Sequence, residues 1–167
     1  MKAGNFKVNY ESESLSAGIT VRASLASKIL LYALNILLLA IIVLFTVGGI
    51  GVIVLFIVAF QILFLRYTLW NLYGSETFTL RKKTLSYQLS YGLIKLPVRT
   101  LPIYRSIRVI PFHENFQKGS NAMKLIFESF DERGEAVNLY QTALLITQED
   151  YEVFMQSFIR FNKSVNV

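Results

Sequence analysis

From Ile29 to Leu65 the chain runs for 37 residues without a charged side chain, and almost every position is Leu, Ile, Val, Ala or Phe. One straight helix over that block would be about 55 Å long at ~1.5 Å per residue, against a hydrocarbon layer of about 30 Å. Two helices fit. The run is interrupted at its middle by Gly48-Gly49-Ile50-Gly51, whose glycines permit the positive φ of a tight reversal. The pattern therefore predicts a transmembrane hairpin over residues 27–72, Ser27 to Val47 and Val52 to Leu72, with its turn at 48–51. Neither segment has the polar stripe of a helix packed in a soluble core. A signal peptide, with one apolar region of about 7–15 residues near the N-terminus, does not match a double-length run that starts after residue 28.

Beyond the hairpin the periodicity changes to two, the signature of half-buried strands. Glu76 to Leu80 and Leu85 to Tyr91 alternate polar and apolar residues, with Arg81-Lys82-Lys83-Thr84 as the turn between them. Further strands are expected at Leu93 to Val98, Tyr104 to Ile110 (Ile107 and Val109 inward), Ala122 to Phe130 and Glu135 to Tyr140, about six in all. Asp131 to Gly134 is the expected turn before the last of these, with Gly134 free to take an unusual φ. Pro97, Pro102 and Pro111 restrict the middle region to edge strands or breaks.

Alternation also precedes the hairpin, in Phe6 to Tyr10 and Gly18 to Arg22, with serine-rich Ser12 to Ser16 between them. Two short strands cannot bury a face alone. Residues 1–26 are expected to join the sheet formed by residues 73–167, which makes the hairpin an insertion in one β domain. A helix over 148–162 closes the chain. Thr147 can cap it, Glu149 and Asp150 suit the positive end of its dipole, and Tyr151, Phe154, Met155, Phe158 and Ile159 share one face. Asp150 stands where a full capping box has Glu or Gln.

This order of parts resembles the bacterial pleckstrin-homology-like (PH-like) membrane proteins, in particular the YcxB-like arrangement with a helical hairpin inside the domain. The resemblance rests on Leu69-Trp70-Asn71-Leu72-Tyr73-Gly74-Ser75-Glu76 running into Phe78-Thr79-Leu80, on Ile103-Tyr104-Arg105-Ser106-Ile107, and on the helix from Asp150 to Phe161. It implies an α+β membrane protein: a two-helix transmembrane hairpin inserted in a PH-like antiparallel β-sandwich or barrel, capped by the C-terminal helix. It leaves function open, because this fold hosts lipid-binding, peptide-binding and structural roles.

Charge adds an orientation. Lys2, Lys7, Arg22 and Lys28 precede the first helix, Arg66 ends the second, and Arg81, Lys82 and Lys83 follow, while the joining turn is neutral. The positive-inside rule then expects both termini in the cytoplasm. Tyr32, Tyr67, Trp70 and Tyr73 suit the aromatic belt of one water interface. Residues 66–118 carry nine basic and two acidic side chains, a net of +7, and residues 119–167 carry four and seven, a net of −3. The basic half, with Lys28, Arg66, Arg81, Lys82, Lys83, Arg105 and Arg108 as contact residues, is expected to meet anionic lipid headgroups or an acidic protein. Nucleic acid is not expected, since no RNA- or DNA-reading motif is present.

Within the apolar run, Asn35 and Gln61 lie about one helical turn apart in depth. Their amides suit hydrogen bonding across the hairpin or to a neighbouring subunit, and the absence of ionisable residues there argues against a transport path. Catalytic signals are lacking. His113 is the one histidine and there is no cysteine, which excludes a His–Cys zinc site and a Cys–His nucleophile pair. No nucleophile elbow, Walker A or dinucleotide fingerprint occurs. Glu128, Asp131, Glu132 and Glu135 surround a turn without calcium-ligand spacing. No cofactor is expected. The leading expectation is a non-enzymatic, membrane-anchored binding module. The alternatives are a structural subunit of a larger membrane complex, in which Asn35 and Gln61 meet partner helices or a second copy, and a transporter component.

Overall fold

The computed structural model describes residues 4–11, 13–49, 51–113, 122–131 and 133–165. Lys2, Ser12, Ile50, Glu114, Lys118, Gly119 and Glu132 lie outside the described residues. Two strands come first, β1 (Asn5–Glu11) and β2 (Ser14–Thr20), then two helices, α1 (Leu25–Val47) and α2 (Gly51–Tyr73). Eight strands follow: β3 (Gly74–Arg81), β4 (Thr84–Tyr91), β5 (Ile94–Lys95), β6 (Arg99–Pro102), β7 (Ile107–Phe112), β8 (Ala122–Phe130), β9 (Ala136–Gln141) and β10 (Ile146–Thr147). Helix α3 (Gln148–Val165) ends the chain.

Both hairpin helices are long and apolar enough to cross a membrane, and only Asn35, Gln61, Thr68 and Leu72 among their residues are buried. Helix α1 starts two residues before the expected Ser27, because the Ser24 hydroxyl accepts from the Ser27 amide at 3.1 Å and caps it. The reversal uses fewer special glycines than the sequence suggests. Gly49 alone of the three has a positive φ, 75°, whereas Gly48 closes α1 at φ −74° and Gly51 is the first residue of α2. Gly49 is thus the one left-handed residue among the described residues of the turn.

β2 pairs antiparallel with β3, Thr20 opposite Ser75 and Ser14 opposite Arg81, so the strands before the hairpin belong to the sheet that continues after it. The first sheet runs β1-β2-β3-β4-β5, with β6 also on β4; in the second, β8 pairs with β7, β9 and β10. Strand β2 corrects the sequence reading. Ser14 and Ser16 are not a linker but the polar positions of a strand whose Leu15, Ala17 and Ile19 are buried. The Ser16 and Thr79 hydroxyls, cross-strand neighbours, hydrogen-bond at 3.1 Å.

The middle region departs most from expectation. Leu93 to Val98 contributes only the two residues of β5, Arg99 to Pro102 forms an unforeseen strand, and the strand expected from Tyr104 starts at Ile107. Pro102 and Pro111 both sit in strands that pair on one side only, where a missing amide leaves no gap. The β3–β4 turn is tighter than read: Arg81 and Thr84 still pair, leaving Lys82 and Lys83 as its two residues. Gly134 has φ 87° in the β8–β9 turn.

The core lies where the two sheets and α3 meet. The rings of Phe78 (β3) and Phe127 (β8) are 5.0 Å apart, and Phe154 of α3 reaches them at 5.8 and 6.2 Å, all edge-on. Helix α3 is launched by a reciprocal cap: the Asp150 amide donates to the Thr147 hydroxyl at 3.1 Å, and the Thr147 amide to the Asp150 carboxylate at 3.3 Å. Asp150 thus completes the box despite its shorter side chain. The buried face of α3 is Phe154, Phe158 and Phe161, with Tyr151 and Met155 beside it; Ile159 is 50% exposed and does not belong to it.

Candidate functional site

Register decides which charges assemble. β3 begins at the end of α2 and runs away from it, so the β3–β4 turn lies a full strand from the hairpin, about 23 Å at ~3.3 Å per residue. At that far end Arg81, Lys82 and Lys83 meet the β6–β7 connector, which carries Tyr104 and Arg105. The Ile103 amide donates to the Lys83 carbonyl at 2.8 Å and fastens connector to turn, and the Ile103 side chain is buried below. Phe161 and Asn162 of α3 close one side of the resulting concavity, whose volume is about 520 Å³. Its rim holds four cations and no acid among its lining residues, and Tyr104 stands 64% exposed beside them. Arg105 has contacts of its own, so the arrangement offers an anion the charged donors of Arg81, Lys82 and Lys83 and one aromatic face.

The other expected contact residues lie elsewhere. Lys28 is in the first turn of α1. Arg66 of α2 donates to the Tyr91 hydroxyl at 3.3 Å and lies over that ring, 5.3 Å from its centroid. Arg108 lies over Phe130 at 5.7 Å and opposite Glu128 in the β7–β8 register, outside the concavity. Nor are basic and acidic halves separate in space. A Cβ built at Gly134, in the acidic β8–β9 turn, would stand 3.4 Å from an Arg105 guanidinium nitrogen. Asp131 is engaged within that turn, accepting from the Glu135 amide at 2.8 Å.

Between the helices, Gln61 donates to Asn35 at 3.0 Å, and Asn35 donates to Thr68 at 2.9 Å and to the Leu31 carbonyl at 2.7 Å. The two amides hold the hairpin to itself. Thr68 lies seven residues after Gln61, two helical turns on, which places both on one face of α2. The Gln61 side-chain oxygen, Oε1, is buried without a hydrogen-bond partner. Asn35→Leu is expected to cost about 1 kcal/mol, two interhelical bonds at roughly 0.6 kcal/mol each, read as loss of thermal stability in detergent; Leu34→Ala, exposed on the same helix, serves as the control with no loss.

Among the described residues one acid is wholly buried. Glu76 in β3 accepts from the Tyr140 hydroxyl and from the amides of Ala143 and Leu144 at 2.9 and 3.0 Å. Burial pushes its carboxyl above the ordinary value, and those hydrogen bonds, together with the Lys124 charge, only partly oppose the shift. Burial likewise raises the Tyr140 phenol, reinforced by the neighbouring carboxyl, so it stays protonated and donating. Tyr140 also stacks on Tyr87, 4.0 Å between centroids. The cluster ties the β9–β10 segment to the first sheet. Alternation holds one signal for it, since Glu76 has the parity of Phe78 and Leu80 and so falls on the inward face of β3, but its donors lie 64 to 68 residues away and leave no local trace.

His113 is exposed just past β7. Among the described residues no group of three His, Cys, Asp or Glu side chains could hold a metal ion. No family model matches the chain, and no curated protein matches it either.

Proposed function

We propose that this chain is a non-enzymatic adaptor of the PH-like kind, anchored by its hairpin in the cytoplasmic membrane with both termini in the cytoplasm. In this reading the basic concavity receives an acidic segment of a partner protein. Three things support the membrane anchor: the length and apolarity of α1 and α2, the outward-facing apolar side chains, and the neutral turn between basic flanks. Two antiparallel sheets closed by a C-terminal helix favour the PH-like comparison. The observation that carries the function is the convergence of Arg81, Lys82, Lys83 and Arg105 around one concavity with an exposed tyrosine.

Its distance from the hairpin favours a protein over the chain's own bilayer. With the sheet upright on the hairpin, about 23 Å along β3 exceeds a Debye length of about 8 Å and a lipid headgroup exerts little pull there, whereas a sheet lying flat on the bilayer would bring the same turn to the headgroups. The reading as a structural subunit loses its support from Asn35 and Gln61, whose bonds are made inside the hairpin.

The test uses the full chain in neutral phosphatidylcholine nanodiscs and a fluorescein-labelled peptide of alternating Glu, Asp and Ser. Reversing both turn charges (Lys82→Glu with Lys83→Glu) is expected to weaken binding at least tenfold, and raising salt from 50 to 500 mM to do the same. Binding unchanged by the reversal would refute the site. Loss of peptide binding when phosphatidylglycerol replaces the neutral lipid would mark the anionic headgroup as the competing ligand and move the site from protein to membrane.

A further inference from the structure

The turn from β4 into β5 is unusual in what it shows to solvent. Leu93 is 101% exposed and Ile94 58% exposed, where a water-facing turn ordinarily carries small or polar residues. This turn is fastened to the end of the hairpin. The Gly92 amide donates to the carbonyl of Tyr73, the last residue of α2, at 3.1 Å. Gly92 has φ 69°, and a Cβ there would stand 3.2 Å from that of Tyr73, so glycine serves both the turn and the close approach. Tyr91, just before it, packs on Trp70 at 5.1 Å between centroids and accepts from Arg66, which brings the end of β4 alongside the last two turns of α2. Tyr73 itself is hydrogen-bonded through its hydroxyl to that of Tyr32 on α1. Leu93 and Ile94 therefore sit beside the aromatic end of the hairpin, with Lys95 following.

We propose that Leu93 and Ile94 insert into the same bilayer as the hairpin, among the acyl chains just beneath the headgroups, as a third attachment of the chain to the membrane. The inference rests on the reading of α1 and α2 as membrane spans. Two branched aliphatic side chains leave water in proportion to their apolar area, while Lys95 stays at the level of the lipid phosphates. Partner-protein docking fits this pair less well, because the aromatic belt it adjoins is already the water–lipid boundary. This third attachment, beside α2, restricts tilting of the sheet relative to the hairpin.

The chain has no cysteine, so single labels are clean. Leu93→Cys and Leu63→Cys, the second on the exposed surface of α2, are each labelled with an environment-sensitive fluorophore in the full chain. The protein is reconstituted into phosphatidylcholine–phosphatidylglycerol vesicles. Residue 93 is expected to be quenched by a nitroxide on the upper acyl chain and residue 63, about 15 Å further down α2, by one near the chain end, and both are expected to be protected from aqueous iodide. Lipid quenching at residue 63 with iodide quenching at residue 93 overturns the insertion and leaves the spans intact. Iodide quenching at residue 63 overturns the spans and the insertion together.

Discussion

Replacing Glu76 with Ala is expected to destabilise the β domain by about 3–5 kcal/mol. The substitution leaves the Tyr140 hydroxyl and the Ala143 and Leu144 amides without their acceptor in a site closed to solvent, and each orphaned buried donor costs about 1–3 kcal/mol. Part of that loss is offset because a carboxyl that burial disfavours is removed with it. Glu76→Gln keeps an acceptor for the two amides and a donor for the tyrosine oxygen, and is expected to cost about 1 kcal/mol. The pH dependence separates the two effects. The folded-state value of Glu76 lies above the unfolded one, so within that window the native state binds more protons. Wild-type stability should therefore fall as pH rises from the ordinary carboxyl value of 4.5 through the raised one. The Gln variant should lack this slope. Trp70 fluorescence during thermal unfolding of detergent-solubilised protein, from pH 4 to pH 8, measures both. A wild-type stability that climbs relative to the Glu76→Gln variant over that range would show the hydrogen bonds outweighing burial.

Phe154→Ala is the other substitution with a large expected effect, about 3–5 kcal/mol. Phe154 is fully buried and its ring contacts Phe6, Phe78, Phe127 and Phe158, so truncation opens a cavity between both sheets and α3. Hydrogen exchange should accelerate along α3 before it does so in β3 or β8, since the helix loses its central attachment while the strands keep their ladders. Ile159→Ala, one turn further along and half exposed, should change stability by less than about 0.5 kcal/mol. Equal losses at the two positions would mean that α3 seats on a different face.

That contrast marks how far a helical pattern can be read. Phe154 and Ile159 both fit one apolar stripe by spacing, yet the stripe is wider than the groove that receives it. The sheets choose Phe154, Phe158 and Phe161 and leave Ile159 outside. The same limit applies to the charges. Arg81, Lys82 and Lys83 are visible as a basic turn, but nothing in their spacing reveals that the Ile103 amide holds Tyr104 and Arg105 against them. Arg108, three residues further on, follows the β7 register to another surface.

Sequence alone determined the parts whose burial repeats over a few residues. The uncharged run with its glycines specified two apolar helices, alternation specified most strands, and Thr147 with Asp150 specified where α3 begins. These signals are local because a helix or strand exposes its neighbours at a set period. Tertiary structure decided what long-range pairing creates: β2 on β3 across the whole hairpin, Asn35 bonded to Gln61 and Thr68, a carboxyl buried under amides 67 and 68 residues away. Each of these joins segments that no short period connects. Their register follows from which faces the sheets bury together, and that choice is made only when the chain closes on itself.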